Sequence, residues 1–282
     1  MIKDILVHLD GTGDDEVRIK HAEALAVSSQ AYVTGLFTNP LPDFAAFASM
    51  DGGAGAAALL AQMQDDSRKL ADEVLQRLTE RFGKLAVPNE IRRIEDLPGQ
   101  IADLVASESR WGDLTIVGQP YHGDDKADWD DLFESVLFES GRGVLVVPPQ
   151  RQPADEIRRV LICWRDSREA ARAVAEALPI IEGATRADIL VIDPPRDSDA
   201  SKGAAAIDIA RHLDRHGTKV EITIAESGNR GISDVILDQA RRLSADLIVM
   251  GGYGHSRARE WIMGGATRDM LSNMEFPILM AH

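Results

Sequence analysis

The glycines between residues 251 and 267 are the feature whose spacing points most clearly to chemistry. The segment contains, in order, Gly251, Gly254, Gly264, Gly265, Ala266 and Thr267. It follows an apolar strand and opens onto a predicted helix at 265–274. Glycine lets a backbone approach phosphate oxygens closely, and the free N–H groups at the start of a helix face an anion. We therefore predict a phosphate-binding loop, in which Thr267 adds a hydroxyl donor or simply serves the first helical turn. The alternative is that the glycines only form turns.

The elements around this loop belong to an internal repeat. Three short apolar segments of the first half recur in the same order in the second half: residues 5–12 correspond to 160–167, 113–118 to 246–251, and 144–148 to 278–282. Their apolar, largely β-branched composition is typical of strands. A matching order of three segments predicts a tandem duplication.

Helical periodicity fills the intervals between these strands. The predicted helices cover residues 14–29, 65–82, 101–109, 167–178, 204–216 and 232–243. Ser167 is predicted to be the N-cap of the helix that runs to 178. Continuous apolar strands alternating with helices predict a parallel sheet covered on both faces. We predict two Rossmann-like α/β domains, over 1–150 and 155–282, each with a five-stranded parallel sheet. A proline-rich linker over 148–153 joins them, and the Ala/Gly-rich residues 44–61 are predicted as a loop that enters a helix.

Charge and composition exclude several classes of function. The net charge of −15 disfavours non-specific binding to nucleic acid, which needs a basic surface. Residues 1–150 carry a net charge of −13 and residues 151–282 only −2, so an anionic ligand is repelled less by the second half. No run reaches the ~18 apolar residues of a membrane helix, and the first apolar run is interrupted too early for a signal peptide. The single cysteine, Cys163, is typical of a reducing cytoplasm.

The glycine spacing, the segment 246–251 and the closing segment 277–280 together resemble the universal stress protein family, over nearly the whole chain. The resemblance implies the adenine nucleotide alpha hydrolase-like fold in each half. It also implies an adenine nucleotide (ATP, ADP or AMP), with or without Mg²⁺, bound by the second domain. The family signature continues with Ser or Thr after the third glycine, where this chain has Gly265. The missing hydroxyl weakens phosphate binding by about 0.5–1.5 kcal/mol.

The resemblance also implies which residues surround the nucleoside. Ile192, Asp193 and Met250, at the ends of predicted strands, would line the adenine pocket. Trp164 walls the nucleoside pocket or packs within the domain.

The family often has an acidic residue after its first strand, and the two halves differ here. The first half has Asp10, whereas the second has Arg165. Arg165 contacts phosphate, stacks on a base or stays solvated, and the neighbouring Asp166 is the candidate to replace the missing acid.

The first half lacks the glycine loop. It keeps Asp10 and Thr12, but the sequence after Gly118 has lost the glycine spacing and carries the acids Asp124, Asp125, Asp128, Asp130 and Asp131. These carboxylates would repel phosphate, so no nucleotide is expected there. The acidic run lacks the spaced loop of a calcium site and is interpreted as solvated.

No catalytic or metal-binding residues are predicted. His212 and His216 share a helix face with Asp208, but three ligands along one helix cannot close around an ion. Cys163 lies in an apolar strand and is interpreted as a core thiol. No residue stands out as a base for water, so any ATP hydrolysis would be slow.

Two functions remain open. The first is a regulatory nucleotide-binding protein of the stress response; the second is a nucleotide-free scaffold that keeps the fold. In the family the closing strand commonly forms the dimer contact. The segments 144–147 and 278–281 would then pair the two repeats as an internal pseudo-dimer, and homodimerisation of the chain stays open.

Overall fold

The computed structural model describes residues 1–43, 54–121, 129–194, 201–253 and 265–282. Strands and helices alternate through both halves. The first half contains β1 (Asp4–Leu9), α1 (Asp15–Ser29), β2 (Tyr32–Pro40), α2 (Ala54–Phe82), β3 (Asn89–Asp96), α3 (Pro98–Ser109), β4 (Leu114–Gly118), α4 (Trp129–Glu139) and β5 (Gly143–Val147). The second contains β6 (Arg159–Cys163), α5 (Arg168–Gly183), β7 (Arg186–Ile192), α6 (Ser201–Arg215), β8 (Val220–Ala225), α7 (Ile232–Leu243), β9 (Leu247–Gly251), α8 (Ala266–Ser272) and β10 (Ile278–Ala281).

All ten of these strands form one sheet, in the order β3-β2-β1-β4-β5-β10-β9-β6-β7-β8. Strands within each half are parallel. The halves meet where β5 and β10 run antiparallel, with Ile278 opposite Val146 and Met280 opposite Val144. We call this contact the seam. It places the closing strands of both halves at the centre of the sheet, so β3 and β8 form its edges.

A hydrophobic core covers each face of the sheet. Ile5 and Val7 face the core formed with α1, α2, α5 and α6, whereas Leu6 faces the core formed with α3, α4, α7 and α8. Because successive strand residues point to opposite faces, burial of both faces explains the continuous apolar strand sequences. Within the described ranges, no helix has both the length and the apolar character needed to cross a membrane. The predicted α/β class, with a mostly parallel sheet flanked by helices, is confirmed.

Helix ends differ from prediction where local composition was ambiguous. Helix α7 has the predicted bounds, but α2 begins at Ala54, so part of the predicted loop 44–61 is helical. Its alanines have the highest helix propensity, which accounts for the earlier start. Residues 44–53 lie outside the described part of the chain. Helix α3 begins at Pro98, a residue well suited to the first turn, and α8 is shorter than the predicted 265–274.

Candidate functional site

The strand order reverses between β9 and β6, and such reversals in parallel sheets form ligand clefts at the carboxyl ends of the strands. Cys163 lies opposite Met250 in the β6–β9 ladder and opposite Leu190 in the β6–β7 ladder. The ends of these three strands are therefore adjacent. Trp164, Ile192 and Met250, predicted to line a binding site, therefore lie at or next to the neighbouring ends of three strands.

The predicted residues at this edge differ in exposure. Met250 is buried, Trp164 and Ile192 are half-buried, and Arg165 and Asp166 are exposed. Trp164 packs against the core on the α5 face of the sheet, whereas Ile192 and Met250 pack against the core on the α7 face.

Trp164 carries an unusual donor. Its backbone N–H extends the β-ladder by donating to the carbonyl oxygen of Leu190 at 2.8 Å. Its indole Nε1 is buried and finds no hydrogen-bond partner in the described part of the chain. A buried N–H without a partner is costly.

Asp193, at the end of β7, makes contacts within the protein. Its backbone is left-handed (φ 49°), and its carboxylate accepts hydrogen bonds from the Ser227 backbone N–H at 2.9 Å and from the Ser227 hydroxyl. Asp193 therefore ties the end of β7 to the segment after β8.

Packing against the start of α5 requires a glycine at position 251. A Cβ atom here would lie 2.6 Å from the backbone nitrogen of Ala170 and 2.7 Å from the carbonyl carbon of Glu169, in the first turn of α5. That turn is fixed by Ser167, whose Oγ accepts a hydrogen bond from the Ala170 N–H at 3.2 Å, as predicted for its N-cap. The glycine lets the end of β9 touch the start of α5.

The two flanks of the glycine loop are joined by Thr267. Its buried Oγ1 accepts a hydrogen bond from the Tyr253 backbone N–H at 3.4 Å. Gly265 has an extended backbone at the N-cap of α8, and Ala266 is exposed. The Thr267 hydroxyl oxygen is thus a hydrogen-bond acceptor that links α8 to Tyr253. Gly254 and Gly264 lie outside the described residues.

The first half has a cavity of about 380 Å³ at the equivalent reversal, between β1 and β4. Its lining includes His8, Arg18, Gln119, Tyr121 and Trp129. The Arg18 side chain packs against Gly118 of β4, where an added Cβ atom would lie 2.8 Å from Arg18 Nη1. In the second half the corresponding glycine, Gly251, packs instead against the backbone of α5.

Arg18 is the centre of a buried ion network. Its Nη2 lies 2.8 Å from Asp10 Oδ1 and 2.5 Å from Asp15 Oδ1. Asp10 also accepts hydrogen bonds from the Thr12 backbone N–H at 3.0 Å and the Thr12 hydroxyl at 2.6 Å. Burial alone would raise the Asp10 pKa, but the Arg18 charge holds it below its usual range. Burial raises the pKa of Asp15. The Asp10 carboxylate, at the position predicted to contact a nucleoside, is thus already paired with Arg18 and Thr12.

His8, another titratable group of this cavity, is buried and neutral. Burial, with the Arg18 charge, lowers its pKa to about 3. His8 Nε2 lies 2.9 Å from Thr38 Oγ1, which also lies 3.3 Å from the Leu9 carbonyl oxygen. His8 serves as a packing residue, with Trp129 edge-on at 4.5 Å.

The side chains considered for metal binding make other contacts. The rings of His212 and His216 lie 4.8 Å apart, and His216 Nδ1 contacts Glu182 Oε1 at 2.7 Å. In the acidic run, Asp130 Oδ1 accepts a hydrogen bond from the Tyr121 backbone N–H at 2.7 Å, while Asp124, Asp125 and Asp128 are outside the described residues. Among the residues that the structure describes, no group of His, Cys, Asp and Glu forms a metal site.

Cys163 packs against the core at the end of β6. Burial raises the pKa of its thiol to about 12, so it stays protonated and is not a nucleophile at neutral pH.

Sequence reasoning missed Arg18, Tyr121 and Tyr253. Arg18 is one of few basic residues in an acidic half, a signal too weak to identify an ion network. The tyrosines offered a better signal, because the chain has only three and two of them follow β4 and β9.

Residues 156–282 match the universal stress protein family, so the second half carries a domain of this family. No curated protein matches the chain in sequence. A universal stress protein from Archaeoglobus fulgidus DSM 4304 is similar in structure, with a TM-score of 0.70 at 17% identity, covering 99% of this chain and 97% of that one. A functionally unknown protein from Pseudomonas aeruginosa PAO1 is similar with a TM-score of 0.59 at 17% identity, over 99% of this chain and 92% of that one. At these identities the structures show a shared fold.

Proposed function

We propose that the chain is a tandem universal stress protein, with one domain over residues 1–150 and another over 155–282. The family match to the second half supports this, as does the symmetric strand order of the two halves about the seam. In this proposal the β5–β10 pairing is an internal pseudo-dimer contact, and any homodimer of the chain uses another surface.

We further propose that the second domain binds an adenine nucleotide (ATP, ADP or AMP) and that occupancy regulates partner binding in a stress response. The observation that carries the proposal is the adjacency of the ends of β6, β7 and β9 at the reversal of strand order, with Gly251 at the end of β9. Ile192 and Met250, which pack on the same face of the sheet, are apolar and suit the base.

The phosphates would meet the loop between Gly251 and Thr267. Backbone N–H groups are the main donors there, since Gly265 supplies no hydroxyl. Arg165 and Asp166, exposed at the same edge, are placed to face phosphate or ribose. A Mg²⁺ ion would enter with the nucleotide, bound by its phosphate oxygens.

The first domain is proposed not to bind a nucleotide. Arg18 and Thr12 already bind the Asp10 carboxylate. The cavity is also lined by Asp14 and Asp130, whose charges oppose phosphate.

A nucleotide-free interaction module is the rival function, and two observations favour it. The Asp193 carboxylate is bound by Ser227. The carboxyl group of Glu169, whose pKa is lowered by a hydrogen bond to its own backbone N–H, lies in the turn that touches Gly251. A carboxylate at that point opposes a phosphate placed directly on Gly251.

Mass spectrometry of nucleotide released from denatured protein, followed by calorimetry with ATP, tests the proposal. We expect Gly264→Asp to weaken ATP binding at least about tenfold, because it places a negative charge in the phosphate loop. Gly13→Asp is the matched control: it adds the same charge in open space in the first half and should leave the affinity unchanged.

Protein that releases no nucleotide and gives no ATP heat would contradict nucleotide binding and favour the interaction module. ATP consumption above background, abolished by Gly264→Asp, would instead identify an enzyme.

A further inference from the structure

Two tyrosines from different halves are hydrogen-bonded across the seam. Tyr121 follows β4 in the first half, and Tyr253 follows β9 at the start of the glycine loop in the second. Their hydroxyl oxygens are 2.8 Å apart. The candidate loop of the second half is thus in direct contact with the first half.

The direction of this hydrogen bond follows from Glu134. The Tyr121 hydroxyl donates its one proton to Glu134 Oε1 at 2.8 Å, so the Tyr253 hydroxyl must donate to Tyr121. Burial and the bond with Tyr253 raise the pKa of Tyr121. The chain from Tyr253 through Tyr121 to Glu134 therefore stays intact at neutral pH.

The first half also contacts the far side of the loop. The Arg268 guanidinium of α8 lies over the Tyr121 ring, with Cζ 4.6 Å from its centre. Gln119 Nε2 donates to the carbonyl oxygens of Leu271 at 2.8 Å and Ser272 at 3.1 Å, at the end of α8. The segment 119–121 therefore touches the residues on both sides of the stretch 254–264.

Both tyrosines have left-handed backbones, with φ of 59° at Tyr121 and 51° at Tyr253. This conformation is unfavourable for a bulky side chain and persists only where surrounding contacts impose it. Tyr253 is further held by the Phe138 ring, whose centre lies 5.3 Å away, and by the bond of its N–H to Thr267.

We propose that Tyr121 is a positioning residue for the nucleotide site of the second half: it holds Tyr253 and Arg268 in place, one on each side of residues 254–264. This inference rests on the proposed nucleotide function. It makes the first half part of the binding site although it binds no nucleotide. Because Tyr121 also lines the first-half cavity, a change in that cavity that moves this ring alters nucleotide affinity in the other half.

The test uses the full chain with Tyr121→Phe, Tyr253→Phe and the double variant, and measures ATP affinity by calorimetry. Each single change breaks the bond between the two tyrosines, and Tyr121→Phe also loses the bond to Glu134; each should weaken ATP binding about threefold to tenfold. The double variant should bind no more weakly than Tyr121→Phe, which already breaks the bond that Tyr253→Phe removes. Tyr32→Phe, at the remaining tyrosine, is 36% exposed and should bind like the unchanged chain.

Amide exchange at Tyr253 supplies a second readout, and we expect it to be faster in Tyr121→Phe. Wild-type affinity in Tyr121→Phe, or multiplicative losses in the double variant, would overturn the positioning role while the proposed function stands. If the unchanged chain binds no ATP, the proposed function and its link to Tyr121 both fail. In that case, unchanged amide exchange at Tyr253 in Tyr121→Phe would also show that Tyr121 does not hold Tyr253 in place.

Discussion

Replacing Arg18 by leucine is expected to lower the free energy of unfolding by about 3–5 kcal/mol at pH 7, the usual cost of breaking a buried ion pair. The side chains of Arg18, Asp10 and Asp15 are each at most 8% exposed. The substitution leaves two carboxylates close together without their cation. Urea unfolding measures the loss.

The matched variants separate charge from packing. Arg81→Leu removes ion pairs from α2 to Glu16 and Glu23 of α1, but the Arg81 side chain is 23% exposed and that of Glu16 45%, so the loss should stay below about 1 kcal/mol. Adding Asp10→Asn and Asp15→Asn to Arg18→Leu should recover much of the stability. A triple variant as unstable as Arg18→Leu would show that the guanidinium acts by packing alone.

The pH dependence of Arg18→Leu has a definite sign. Without the cation, burial raises the folded-state pKa values of Asp10 and Asp15 above their unfolded values. The stability associated with their protonation is present at low pH and is lost as pH rises through the folded-state values. The deficit of the variant relative to the unchanged chain should therefore shrink between pH 7 and about pH 5. A deficit that grows over this range would contradict the account.

Gly251→Ala is expected to cost about 2–4 kcal/mol, because the new methyl group meets backbone atoms of α5 that cannot move aside as a side chain could. Gly183→Ala, at the other end of the same helix, has nothing within 4 Å and should change stability little or increase it slightly. Thermal and urea unfolding compare the two variants. A Gly251→Ala variant with full stability but no ATP binding would show that this glycine serves only the ligand.

The alternation of strands and helices could be predicted because it depends on local pattern. Helix α7 has apolar residues at helical spacing and the predicted ends, and Ser167 caps α5 as its residue type indicated. The adjacency of the strand ends that carry Trp164, Ile192 and Met250 also followed from sequence, since each residue comes at the end of an apolar strand in a parallel sheet. The packing of Trp164 on the opposite face from the other two did not.

The contacts that decide the roles of these sites depend on long-range packing, which composition does not encode. The pairing of Arg18 with Asp10 requires α1 to lie across the end of β1. The bond between Tyr121 and Tyr253 joins residues 132 positions apart and exists only because β5 pairs with β10. Spacing singled out Gly251 as a candidate for ligand binding, whereas the structure shows that a Cβ atom there would meet backbone atoms of α5.

The central claim is that one adenine-nucleotide site exists per chain, in the second half. Calorimetric titration of nucleotide-free full-length protein with ATP tests it most directly through the binding stoichiometry. The account predicts one ATP per chain, with binding weakened by Gly264→Asp and unaffected by Asp10→Asn. Two ATP per chain, or one that is lost with Asp10→Asn but not with Gly264→Asp, would contradict it.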